Sequence, residues 1–86
     1  MASLKDKFAA ASKNAVKLPK TPNNDEKLAL YAYYKQATEG DVKGDRPGFL
    51  DMVGRAKYDA WQKCKGKSVD VAMQAYIECV ARLKKG

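Results

Sequence analysis

The residues Lys27, Tyr31, Tyr34, Lys35 and Thr38 carry the clearest chemical signal in the sequence. A helix turns about 100° per residue. With Tyr31 set at zero, Tyr34 falls at roughly −60°, Lys35 at +40°, Lys27 at −40° and Thr38 at −20°. Phenol rings and ammonium groups therefore share one face. Tyr33 points nearly the opposite way, with Ala29 and Ala37, toward another helix, and Leu28 and Leu30 flank the two sides. Two readings fit the mixed face. In one, Tyr31 and Tyr34 cover the edge of a core while the lysines snorkel to water. In the other, the rings stack on a flat base and the lysines meet phosphate. A second cluster repeats the choice: Lys57 and Trp61 are four residues apart and share a side of a helix. Here Trp61 reads as core and Lys57 stays open.

Other chemistries lack their parts. The chain has no histidine and two cysteines, Cys64 and Cys79. Neither a Ser-His-Asp nor a Cys-His set can form, and two thiols do not complete a zinc site. The glycines of GDVKGDRPG have neither the spacing of a phosphate loop nor a strand before them. Asp25 and Glu26 are adjacent carboxylates, but they stand where a helix start wants negative charge. The expectation is no enzyme, no metal and no cofactor. Both thiols read as reduced core fillers.

The elements that must position the tyrosines and lysines follow from periodicity. Apolar residues recur at helical spacing, and no stretch alternates like a strand. Leu4, Phe8, Ala11, Ala15 and Leu18 make a first stripe, broken by Pro19 and Pro22. Asn23 with Glu26 three residues on forms a capping box, so a second helix runs from about Asn24 to Glu39 and stops at Gly40. GDVKGDRPGF is a long loop. MVGRAKYDAWQKC carries a third helix that ends near Gly66. Ser68 caps a fourth, with Val69, Ala72, Met73, Tyr76, Val80 and Leu83 along one face and Lys84 and Lys85 at its negative end. The 86 residues suit one domain, 1–86. The reading is all-α: a four-helix bundle with a long loop between helices 2 and 3.

The net charge of +7 favours anionic partners. A nucleic-acid module is disfavoured, because basic residues scatter over all four helices and no known motif is present. No apolar run resembles a signal peptide or spans a bilayer, and no helix has the basic, Trp- or Phe-rich character of a membrane-surface anchor. The expectation is a cytoplasmic monomer with at most transient membrane contact.

The segments YKQATEGD, RPGFLDMVGRAKYDAW and AMQAYIECV closely resemble the acyl-CoA-binding protein family, and the resemblance covers essentially the whole chain. The family pattern Tyr-x-x-Tyr-Lys-Gln-Ala-Thr-x-Gly-Asp stands here as Tyr31, Tyr34, Lys35, Gln36, Ala37, Thr38, Gly40 and Asp41. Its Lys-x-Asp-Ala-Trp stands as Lys57, Asp59, Ala60 and Trp61. The resemblance implies an up-down-down-up bundle acting as a non-catalytic carrier in fatty acid metabolism. Its ligand would be a medium- or long-chain fatty acyl-CoA, exchanged with the enzymes that make and use it. It further implies that Tyr31, Lys35 and Lys57 surround the 3′-phosphate and adenine. Tyr34 would stack on or line the adenine, and Tyr76 would contact pantetheine and acyl chain, although periodicity alone assigns Tyr76 to the core. Three positions depart from the family. Val16 stands where a lysine is frequent, with Lys17 beside it as a weaker candidate. Val53 replaces a cation, and Tyr58 replaces a tryptophan.

Overall fold

The computed structural model describes residues 2–85 and contains four helices: α1 (Leu4–Ala15), α2 (Asn24–Glu39), α3 (Met52–Gln62) and α4 (Val69–Lys85). The expected all-α four-helix architecture is what the chain adopts. Its start signals act as read. The Asn23 side chain accepts from Glu26 N at 2.8 Å, and Glu26 accepts from Asn23 N at 2.8 Å. Ser68 Oγ accepts from Val71 N at the start of α4. A further capping box, Ser3 with Asp6, opens α1, where the sequence reading named no cap.

Two helices end sooner than their apolar stripes. The stripe of α1 continues to Leu18, but the helix closes at Ala15, where Lys17 N donates to Asn14 O in a tightened turn. Pro19 disfavours the helical conformation at Leu18 and brings no donor of its own, so the last turn cannot propagate. Likewise α3 ends at Gln62. The turns beyond it are three-residue ones (Cys64 N to Trp61 O, Lys65 N to Gln62 O) and carry the chain to Gly66 at φ +91°.

Gly40 ends α2 at φ +82°, ψ −151°. That region is almost closed to residues with a Cβ. A methyl group at Gly40 would meet no neighbour within 4 Å, so any penalty is conformational. Gly40→Ala is expected to lower stability by about 1–3 kcal/mol, measured by urea unfolding.

Helix α4 packs between α1 and α2, and α3 lies on the far side of α2. The result is a thin body of 43 × 28 × 15 Å. Directions follow from the ends. Trp61, late in α3, donates its indole N–H to Gly40 O just after α2, at 2.8 Å. Hence α2 and α3 run parallel. Gln36, late in α2, donates to Lys67 O just before α4. Asp25 and Glu26 share a cleft with Arg82 and Leu83. Hence α2 and α4 run antiparallel. The parallel pair requires the long connection 40–51, which no tight turn could replace. That connection is fastened to α3: Arg46 forks onto both Asp59 oxygens at 2.9 and 2.7 Å, and Tyr58 Oη donates to Gly44 O at 3.0 Å.

The core is Phe8, Ala11, Ala37, Ala72, Met73, Tyr76 and Val80, with Leu4, Ala15, Leu18, Leu30, Tyr33 and Ile77 packed against it. Tyr33 and Ala37 thus meet the neighbouring helices as their angle on α2 demands. Cys64 and Cys79 are both buried free thiols. Burial pushes the Cys64 thiol up, away from the reactive thiolate.

Asp41 ties the end of α2 to the approach to α4. Its Oδ1 accepts from Gln36 Nε2 and from Gly66 N, both at 2.8 Å. These bonds, the Gly66 amide first, hold the Asp41 carboxyl below its ordinary value. A folded pKa below the unfolded one stabilises above the unfolded value and is lost as pH falls through the folded value. Asp41→Asn should therefore flatten the acid side of the stability–pH curve and leave its neutral-to-alkaline shape unchanged, as thermal unfolding at a series of pH values will show.

Candidate functional site

The tyrosine–lysine face of α2 comes together with α3. The Lys57 ammonium sits 5.4 Å from the centre of the Tyr31 ring, and the Lys35 ammonium 5.0 Å from the centre of Trp61. Each cation reaches across the seam to the other helix's aromatic ring. Because α2 and α3 are parallel, two pairs offset along the seam can form at once. The rings supply electron-rich faces for the ammonium groups. The outcome is a single strip carrying two positive charges and two aromatic platforms. Lys57 is exposed, and Tyr31, Lys35 and Trp61 are half-buried.

Lys35 has a further partner in Glu39, one turn on. This contact raises the Lys35 pKa, the hydrogen bond outweighing desolvation. Lys35 therefore remains an ammonium at neutral pH, but an incoming anion must compete with Glu39 for it. Lys57 has no such carboxylate among its described contacts, and it is the more available of the two.

Beside the strip lies an aromatic cluster. Tyr34 stacks on Phe8 with centroids 5.5 Å apart and planes at 25°. Phe8 meets Tyr76 edge-on at 5.1 Å, and Tyr34 lies tilted against Tyr76 at 5.8 Å. Tyr76 is only 5% exposed, whereas Tyr34 is 42% exposed. The cluster is thus graded: Tyr76 and Phe8 form a buried base, and Tyr34 offers an open ring above it. Burial raises the Tyr76 hydroxyl pKa. Thr38 donates to Tyr34 O at 2.8 Å and spends its hydroxyl on its own helix.

Four of the five principal candidates thus stand on one side of α2, with Tyr76 beneath. Lys17, the weaker candidate, is exposed in the turn after α1. Val16 and Val53 are 83% and 67% exposed. Periodicity missed two participants. Phe8 reads as one apolar position in a stripe, and only the packing of α1 on α4 shows which rings it meets. Trp61 reads as core, and its approach to Lys35 depends on the parallel setting of α2 and α3. The Lys-x-x-x-Trp spacing was the available hint.

A cleft of about 560 Å³ lies elsewhere, lined by Leu28, Ala29, Ala32, Tyr33, Ala56, Ala60 and Cys64, with Asp25, Asp59, Lys63 and Lys67 also on its walls. On α2 these residues lie at roughly +60° to +200° from Tyr31. This is the reverse side of the seam. None of the five principal candidates lines this cleft. Its walls mix signs and include no aromatic–cation pair, so the front strip is the better candidate for an anionic, aromatic ligand. Among the described residues no group of His, Cys, Asp or Glu could hold a metal ion, and no helix is long and apolar enough to cross a membrane.

A helical layer with a cationic, aromatic strip has the form of a binding surface for an anionic, aromatic ligand. The acyl CoA binding protein family profile matches residues 5–80. The chain is 47% identical over 78 residues to an acyl-CoA-binding protein homolog of Drosophila melanogaster, covering 91% of each. It is 46% identical over 80 residues to an acyl-CoA-binding protein of Ricinus communis, covering 93% of this chain and 89% of the relative. The crystal structure of Oryza sativa acyl-CoA-binding protein 2 superposes with a TM-score of 0.91 at 42% identity, over 96% of this chain and 92% of that one. That of the protein from Moniliophthora perniciosa superposes at 0.88 with 44% identity, over 99% and 82%. The chain belongs to the acyl-CoA-binding protein family, whose members are non-catalytic.

Proposed function

We propose that this protein is a cytoplasmic carrier of medium- to long-chain fatty acyl-CoA esters. Tyr31, Lys35 and Lys57 surround the 3′-phosphate and adenine of the CoA head, and Tyr34 stacks on or lines the adenine. The acyl chain lies in a groove between helices, with Tyr76 against pantetheine and chain. The observation that carries the reading is the reciprocal pairing across the α2–α3 seam, Lys57 over Tyr31 and Lys35 over Trp61. That strip presents charge and flat rings within one nucleotide's reach.

The division of labour follows from the ligand's two halves. Each buried methylene contributes roughly 0.8 kcal/mol, so a dozen would contribute about 10 kcal/mol before the cost of ordering the chain. Apolar burial thus supplies most of the affinity. The lysines and phenols discriminate the CoA ester from a bare fatty acid. No chemical step is required. The protein keeps the thioester out of bulk water and releases it by mass action to enzymes that make or use it.

Calorimetric titration with palmitoyl-CoA, CoA and palmitate tests this. Palmitoyl-CoA should saturate one site and raise the unfolding temperature, since a ligand that binds only the folded state stabilises it. CoA alone and palmitate alone should each bind more weakly than the ester, since CoA lacks the buried chain and palmitate lacks the head that the lysines hold. No heat and no thermal protection with palmitoyl-CoA would reject the reading.

A further inference from the structure

The end of the α2–α3 connection and the first turn of α3 expose four apolar side chains in close succession. Phe49 is 75% exposed, Leu50 87%, Met52 78% and Val53 67%. Apolar residues scattered singly over a surface are ordinary, but a contiguous group marks an interaction site. These side chains project from the body, and no other helix covers them. The segment is also held in shape. Asp51 caps α3 by accepting from Gly54 N at 2.9 Å. The Arg46–Asp59 fork and the Tyr58–Gly44 bond fasten the rest of the connection.

Charge around the tip is unevenly spent. Arg46 is neutralised by Asp59, and Asp51 is occupied at its cap. Lys43, Arg55 and Lys57 are the cations that flank the tip along the chain, against Asp45. Arg55 lines a cleft of about 370 Å³ with Arg46, Phe49, Met52, Ala56 and Asp59. Its Nε is buried and has no hydrogen-bond partner among the described residues. A buried donor without a partner is costly, and an anionic oxygen beside Phe49 and Met52 would satisfy it.

We propose that this tip docks the protein reversibly on an anionic lipid bilayer. Phe49, Leu50 and Met52 enter the headgroup–acyl boundary, while Arg55 and the neighbouring lysines meet lipid phosphates. A bilayer fits a projecting apolar tip edged by cations, whereas a protein partner's anchors are matched by packed pockets. The charge of +7 draws the whole molecule to such a surface. Val53 stands one turn before Lys57, so docking brings the α2–α3 seam beside the membrane. The anchor is a loop end joined to a helix start, a form that a search for amphipathic helices passes over. The proposal rests on these exposed side chains and not on the acyl-CoA reading.

Flotation of the full, ligand-free chain tests it, using vesicles of phosphatidylcholine alone and of phosphatidylcholine with phosphatidylserine. The protein should float with the anionic vesicles only. A Phe49→Ser/Leu50→Ser double variant should partition about tenfold less or lower, from the loss of apolar burial. Its unfolding temperature should match the parent. Arg55→Gln should lower partitioning about fivefold on the anionic vesicles. Absence of flotation with either vesicle would overturn the proposal and leave the tip as a protein-docking surface. Flotation unchanged by the double variant would also overturn it, showing diffuse attraction by the basic surface. Palmitoyl-CoA binding should be unaffected in the double variant, so the two readings fail separately.

Discussion

Replacing Lys57 by alanine is expected to weaken acyl-CoA binding by about 1.5–3 kcal/mol, the range for a hydrogen bond to a charged group. That corresponds to roughly ten- to more than a hundredfold in the dissociation constant. Lys57 projects over Tyr31 from α3 and is exposed, so the free protein should keep its unfolding midpoint. The change would therefore report on the ligand and not on the fold. Lys35→Ala should cost less. In the free protein Lys35 is engaged by Glu39, and the ligand gains its ammonium only by displacing that carboxylate. Both losses should shrink with added salt, because the groups lie near solvent. Calorimetry of the two variants at low and high salt checks the order. Equal affinity in parent and Lys57→Ala would remove Lys57 from the site.

Truncating Tyr76 should act on the fold itself. Its ring is 5% exposed and touches both Phe8 and Tyr34. It sits on α4, the helix between α1 and α2, so its loss opens a void where three helices meet. Large aromatic truncations in cores cost about 3–5 kcal/mol. A chain of 86 residues has a total stability of roughly 5–10 kcal/mol. Tyr76→Ala should thus lose a large share of it and unfold at much lower urea. Tyr76→Phe keeps the ring and should remain close to the parent in stability, which frees it to report on the hydroxyl's role toward ligand. A loss below about 1 kcal/mol in Tyr76→Ala would show that the cluster is not part of the core.

How far the sequence announced this arrangement varies from element to element. The bounds of α2 were legible because local chemistry writes them: Asn23 and Glu26 satisfy each other's amides, and Gly40 adopts a conformation closed to other residues. The ends of α1 and α3 were less so. Their apolar stripes run on past the last helical turn, and Leu18 still packs against the core although no longer helical. The face shared by Tyr31, Tyr34 and Lys35 follows from angle alone. What angle does not give is the neighbour. That Lys35 stands over Trp61, and Phe8 under Tyr34, depends on the parallel course of α2 and α3 and on α1 lying against α4. These are consequences of long-range packing, to which local spacing is blind. Ala29 shows the same limit: it shares an angle with Ala37, which is buried in the core, yet it lines two clefts, one of them together with Tyr33. Phe49 was read only as the last residue of a loop and Leu50 was assigned to no element, because exposure is a property of the folded surface.

The front of the α2–α3 seam and the cleft behind it are two alternative seats for a ligand on the same pair of helices. Backbone amide NMR during titration with palmitoyl-CoA separates them directly. The account predicts that shifts concentrate at Tyr31, Tyr34, Lys35, Lys57 and Trp61, with Tyr76 following as the acyl chain enters. Shifts centred instead on Ala29, Tyr33, Ala60 and Cys64, with the front strip unmoved, would contradict it.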